Sequence, residues 1–216
     1  MLKLKYLCLT ILVFCALIAN SQNELSHKID SLLSAYDTNN KPGLAISIIQ
    51  NKDILYSKGF VIANLDYSIK NTDSTVFSLA SISKQFTSAA IWSLITEGKL
   101  NLEDNIHLFF PDFPEYGKSI KIKHLLNHTS GFRNYHTLMY LSGFNYDRDY
   151  YDNQTVLNLI KRQKNLDNIL GEKVVYSNTN YNLLALIIEK LSNQNLNAYL
   201  KAKVLLPLGM KSTFVR

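Results

Sequence analysis

The chain holds two cysteines in 216 residues, Cys8 and Cys15, and both lie near its N-terminus. Beyond them there is no thiol for a disulfide, a nucleophile or a thiolate-bound metal, so packing has to carry stability. Proline and glycine are also scarce, with 4 and 8 residues, which excludes collagen-like and Gly/Pro-rich disordered classes. Acidic residues are outnumbered, 17 against 23 Lys and Arg, for a net charge of +6. The basic residues are scattered among acidic ones instead of forming a stripe, which argues against nucleic acid as a partner. No apolar run reaches the ~20 residues that span a bilayer. What is present is a globular balance, 47% hydrophobic and 19% charged, in a length that suits one large domain or two small ones.

Lys3 and Lys5 precede the apolar run Tyr6–Ile18, and Ala19-Asn20-Ser21 puts small residues before Gln22. That order is the pattern of an export signal. Residues 1–21 are expected to be a signal peptide cleaved near Gln22, residues 22–216 the mature domain, and the destination periplasmic or secreted. An uncleaved membrane anchor is the alternative.

Leu25, Ile29, Leu32, Leu33 and Tyr36 recur at helical steps and predict an amphipathic helix. Leu44–Ile49 and Ile54–Ala63, joined by Asn51-Lys52-Asp53, predict a β-hairpin. The next helix is expected over Ser83–Glu97, with Phe86, Ala89, Ala90, Leu94 and Ile95 on one side and Gly98 closing it. Phe109–Pro114 predicts a packed loop. Further helices are expected at Ile122–Leu126, Thr155–Arg162, Tyr181–Leu191 and Asn197–Leu205. The tyrosine-rich stretch 132–151 has no clear period and predicts a long loop. A lone hairpin is marginally stable and needs cover.

Ser81-Ile82-Ser83-Lys84 is the only S-x-x-K in the chain. On a helix, residues three apart share a face, so hydroxyl and amine meet. A hydroxyl becomes a useful nucleophile when a neighbouring base takes its proton. Helix N-terminal N–H groups also favour a developing oxyanion. His124 and His128 stand four apart, but no glutamate of an H-E-x-x-H pattern separates them, so no metal site is expected.

The stretch Phe77–Thr87 around Ser81 resembles the nucleophile region of the serine β-lactamase and D-Ala-D-Ala carboxypeptidase superfamily, in its class C-like branch. Leu125-Leu126-Asn127-His128-Thr129-Ser130-Gly131-Phe132 is similar to that family's LLxHTSG turn. Tyr176-Ser177-Asn178 and the helix after it resemble the Y-x-N motif, and Pro207-Leu208-Gly209-Met210 the PLGM turn. The four stand in family order and cover about residues 25–216. A second Y-x-N, Tyr151-Asp152-Asn153, lacks the downstream helix.

The resemblance implies an α+β fold, a partial β-lactamase/transpeptidase-like domain with a helical subdomain beside an incomplete antiparallel sheet. It implies Ser81 as nucleophile, Lys84 and Tyr176 as bases, Asn178 as the substrate-binding residue that also holds the lysine, and neither cofactor nor metal. The implied partner is a small-molecule or peptide substrate: a β-lactam, a peptide or an ester. The family's third motif, Lys or His followed by Thr or Ser and Gly, is not found after Tyr176; Lys211-Ser212-Thr213 has no glycine after it. The expectation is a domain lacking its C-terminal strands, with half an oxyanion site, weak turnover and a sheet edge open to self-association. The competing expectation is a family member that only binds a ligand or partner.

Overall fold

The computed structural model describes residues 24–37, 41–145 and 148–215. The expected signal segment lies outside the described residues. Among those described, no helix is long and apolar enough to cross a membrane. The chain divides into two units, Met1–Ser78 and Leu79–Arg216. Helices and small antiparallel sheets together make the mixed α+β architecture that the sequence predicts.

In the first unit, helix α1 (24–33) lies on the hairpin β1 (Leu44–Gln50) and β2 (Asp53–Phe60). The strands pair antiparallel through Leu44 opposite Phe60 and Ser47 opposite Ser57, with a bulge at Ile48/Ile49. Asn51 and Lys52 both take positive φ, 50° and 76°, which matches the right-handed twist of the flanking strands. The small core is Ile29, Tyr56 and Phe60, with Leu25, Leu33, Leu44, Ile46 and Ile48 packed around it. Leu32 and Tyr36, expected on this apolar face, are instead 80% and 58% exposed. Residues 25, 29 and 33 form a strict four-residue ridge that leaves Leu32 to one side, and Tyr36 sits in a following 3-10 turn, Ser34–Tyr36. Asp30 Oδ1 accepts from the Tyr56 hydroxyl at 2.5 Å and from Lys58 Nζ at 2.9 Å, tying helix to strand. Gly59 is required by close approach, because a Cβ there would lie 2.4 Å from the Asn71 carbonyl oxygen. The sequence showed two strands; the structure adds a second two-stranded sheet, β3 (Ile62–Asn64) with β4 (Ile69–Lys70).

The second unit is helical. Helix α2 (Lys84–Thr96) buries Thr87, Ala90, Ile91 and Leu94, a face turned slightly from the expected one. It ends as expected at Gly98, whose φ of 70° lets Lys99 N–H reach back to the Leu94 carbonyl at 2.9 Å. Helix α3 (Ile122–Leu126) follows the aromatic loop, where Phe110 and Phe113 are buried. Helix α4 (Tyr135–Leu141) occupies part of the stretch expected to be loop. Helix α5 (Asn153–Lys161) buries Val156, Leu157 and Ile160. Helix α6 (Asn178–Ser192) is the central post. Leu183, Leu184, Ile187 and Ile188 are fully buried on it, and it packs on α2, α3, α5 and α7 (Leu196–Leu200). Each such side chain contributes about 1.5–3 kcal/mol of hydrophobic stabilisation, so the N-terminus of α6 is held on a rigid base. The helix expected at Asn197–Leu205 is α7 continued by a π-turn, Lys201–Leu205.

Candidate active site

Ser81 stands on a 3-10 turn, Ala80–Ser83, that runs straight into α2. The buried face of α2 fixes the helix in the core and leaves Ser81 exposed at its entrance. Ala80, just before the serine, has φ of 45°. A left-handed conformation costs an L-residue about 1–2 kcal/mol, so backbone strain is stored beside the hydroxyl. One turn on, Lys84 Nζ donates to Ser81 Oγ at 3.2 Å, the i,i+3 meeting expected from the sequence.

Tyr176, Ser177 and Asn178 arrive from 95 residues later, on an extended segment that becomes α6. Ser81 Oγ lies 2.6 Å from Tyr176 Oη. Asn178 Oδ1 accepts from Lys84 Nζ at 2.8 Å and from the Tyr176 hydroxyl at 3.1 Å. With that hydroxyl donating to Asn178, Ser81 donates to Tyr176. The Lys84 ammonium also sits 4.9 Å from the centre of the Tyr176 ring and 5.5 Å from that of Tyr181. The structure thus brings all four candidate residues into one hydrogen-bonded cluster.

Electrostatics single out Tyr176. Partial burial alone would raise its phenol, but hydrogen bonds with Lys84 and Ser81 and the lysine charge outweigh it, so its pKa falls below the ordinary 10.0. Once ionised, this phenol is a base 2.6 Å from a serine hydroxyl.

The segment before α6 is pinned by the turn after α3. Val175 N–H donates to the His128 carbonyl at 2.8 Å and Ser177 N–H to His128 Nδ1 at 3.2 Å. Gly131 closes that turn at φ +74°, where a Cβ would lie 2.3 Å from the Asn168 carbonyl oxygen. The two histidines four apart have separate duties. His124 Nδ1 accepts from Lys121 N–H at 3.1 Å and caps α3. Among the described residues no three His, Cys, Asp or Glu side chains gather as a metal cage. The second Y-x-N is structural: Asp152 caps α5, accepting from Thr155 N–H at 2.7 Å, and the Tyr151 hydroxyl lies 3.2 Å from that of Tyr135.

Sequence reasoning missed Asn134 and Asn180. Asn134 Oδ1 lies 3.5 Å from Asn178 Nδ2. Asn180 is fully buried and touches both Ser130 and His128. An asparagine within a helix, like Asn180, ordinarily reads as part of a solvated face, and Asn134 as a helix cap, so neither stands out in the sequence.

Residues 29–216 match the family described as Beta-lactamase, and the chain belongs to that family of β-lactamase-like serine hydrolases. It is 32% identical over 197 residues to penicillin-binding protein 4* of Bacillus subtilis (strain 168), covering 90% of this chain and 42% of that protein. The crystal structure of FmtA from Staphylococcus aureus is similar with a TM-score of 0.70 at 28% identity, over 85% of this chain and 48% of that one. D-amino acid amidase from Ochrobactrum anthropi SV3, complexed with L-phenylalanine, is similar at 0.63 and 26% identity, over 78% and 45%. The chain therefore spans less than half the length of each of these relatives.

Proposed function

We propose that this member of the family hydrolyses an amide or ester through an acyl-enzyme on Ser81. The observation that carries this reading is the 2.6 Å contact between Ser81 Oγ and Tyr176 Oη, with Lys84 and Asn178 bonded to the same pair of groups. Tyr176, as phenolate, takes the Ser81 proton while Oγ bonds to the substrate carbonyl carbon. The phenol then gives that proton to the leaving amine or alcohol as its bond to the acyl carbon breaks. Water attacks the acyl-enzyme, its proton passes to Tyr176, and Ser81 leaves protonated as the acid departs. Lys84 is the cation that supports the phenolate, and Asn178 holds Lys84 in place. The amidase among the structural neighbours supports an amide as the substrate class.

The test is covalent labelling of the full chain with a fluorophosphonate and with a β-lactam, read by intact mass and peptide mapping. The expected result is one adduct on Ser81, lost in Ser81→Ala and Lys84→Ala. An adduct on another serine, or equal labelling of Ser81→Ala, rejects the assignment. No adduct in a folded sample supports a protein that binds without acylation.

A further inference from the structure

His128 occupies a left-handed position at a helix end, where glycine or asparagine is usual. It follows Asn127, the C-cap of α3, and takes φ of 57°. His128 N–H reaches the Leu125 carbonyl at 3.4 Å and Thr129 N–H the His124 carbonyl at 2.9 Å, the two-bond closure of a helix end whose left-handed residue is usually Gly or Asn. An imidazole there carries backbone strain, and its ring packs on two tyrosines. It lies 4.7 Å from the Tyr176 ring centre and 5.3 Å from that of Tyr181.

The hydrogen bonds around the ring have one consistent direction. Phe132 N–H donates to Ser130 Oγ at 3.2 Å, and Ser130 Oγ–H donates to Asn180 Oδ1 at 2.5 Å. The Asn180 oxygen is thereby used, so its amide nitrogen is the donor to His128 Nδ1 at 3.0 Å. Ser177 N–H, which can only donate, meets the same Nδ1 at 3.2 Å. Ser130, Ser177 and Asn180 are each no more than 1% exposed. Two buried donors converging on Nδ1 require it to be unprotonated, with the ring proton on Nε2.

We infer that His128 is a positioning residue for the Ser81 chemistry: its neutral imidazole is the acceptor that holds Ser177, and with it Tyr176 and Asn178, against Lys84. Protonating Nδ1 places a third donor against two others and releases the segment carrying Tyr176. The groups facing the ring are Lys84 from α2, Tyr176 and Ser177 from the extended segment, Asn180 and Tyr181 from α6, and Ser130 from its own turn through Asn180. Burial and the Lys84 charge hold the imidazole below its ordinary value of 6.5. The inference rests on the acyl-enzyme reading for its activity consequence, while the tautomer and the turn geometry stand apart from it.

The experiment uses the full chain and three proteins: wild type, His128→Asn and His128→Leu. Asparagine tolerates the left-handed backbone and keeps an acceptor near the Nδ1 position, but does not titrate. Nitrogen-15 NMR of histidine-labelled wild type is expected to show the Nε2–H tautomer at pH 7.5, with the Ser177 amide shifting at the same midpoint as His128. The Ser81 labelling rate is then followed from pH 8 to pH 4.5. Below the His128 midpoint, wild type is expected to lose about tenfold more per pH unit than His128→Asn, because a second proton closes the site. His128→Leu is expected to label slowly at every pH. An Nδ1–H tautomer, a Ser177 amide indifferent to His128, or parallel pH profiles for wild type and His128→Asn overturns the inference. Absence of labelling at every pH defeats the acyl-enzyme reading instead, and the tautomer with the shared midpoint then decides the role of His128.

Discussion

Among the described residues, the first unit buries Ile29, Tyr56 and Phe60 between one helix and one hairpin, whereas the second buries 23 apolar side chains in a single cluster around α6. The first unit adds an exposed bridge, Asp30 to Lys58 at 2.9 Å, of a kind worth little in water. The second adds a buried polar network, Ser130–Asn180–His128–Ser177, in which the groups satisfy one another. All four candidate site residues belong to the second unit. A constellation that must hold oxygen atoms within hydrogen-bond reach is thus built where packing leaves least freedom, and its parts are supported by a further layer of hydrogen bonds.

The largest expected contrast comes from equivalent truncations. Leu183→Ala, in the core of α6, is expected to cost about 2–5 kcal/mol. Ile54→Ala, 63% exposed on the hairpin, is expected to change stability by no more than about 0.5 kcal/mol. Chemical denaturation with residue-resolved hydrogen exchange compares the two, and equal costs would break the contrast.

Acid should separate the units more gently. In the second unit burial holds His124, His128 and His136 below their ordinary 6.5, with Lys123 and Lys121 adding to it at His124 and Lys84 at the other two. Their folded values are depressed, so the stability linked to the neutral rings is present above pH 6.5 and drains away as pH falls beneath it. In the first unit, hydrogen bonds from Tyr56 and then Lys58 hold Asp30 below 3.8. Its contribution is complete above pH 3.8 and is lost only below that. Hydrogen-exchange protection factors, which are taken relative to the intrinsic amide rate at each pH, should therefore fall in α6 before they fall in β2 as pH drops from 7.5 to 4.5. The reverse order would contradict the histidine assignments.

The smallest effect concerns Ala80. Ala80→Gly relieves a φ of 45° and loses some chain stiffness, for a net gain of about 0.5–1 kcal/mol. A loss of stability in thermal melts would show that the turn before Ser81 carries no strain.

Much of the site was legible because it depends on short spacings and local chemistry. Ser81 and Lys84 meet through helical geometry alone, and α3 was read over its observed range. Other features were hidden. Helix α4 has Met139 as its one fully buried residue and starts from the Asn134 cap, so no apolar period announces it. Strands β3 and β4 have three and two residues, too short to alternate. Leu32 fits the helical spacing of an apolar face yet is exposed, because spacing does not say how wide a stripe of α1 is covered. The motif match places His128 in a turn, but its role as an acceptor depends on Asn180, fifty-two residues later and buried on α6.

In the proposed mechanism Tyr176 is the group that takes the Ser81 proton. Tyr176→Phe removes one oxygen and keeps the ring that packs 4.7 Å from His128, so folding should be preserved. The decisive measurement is the rate of covalent labelling at Ser81 in wild type and Tyr176→Phe under identical conditions. The rate is expected to fall by about 100- to 10,000-fold with an unchanged melting temperature. An equal rate in a folded variant would contradict it.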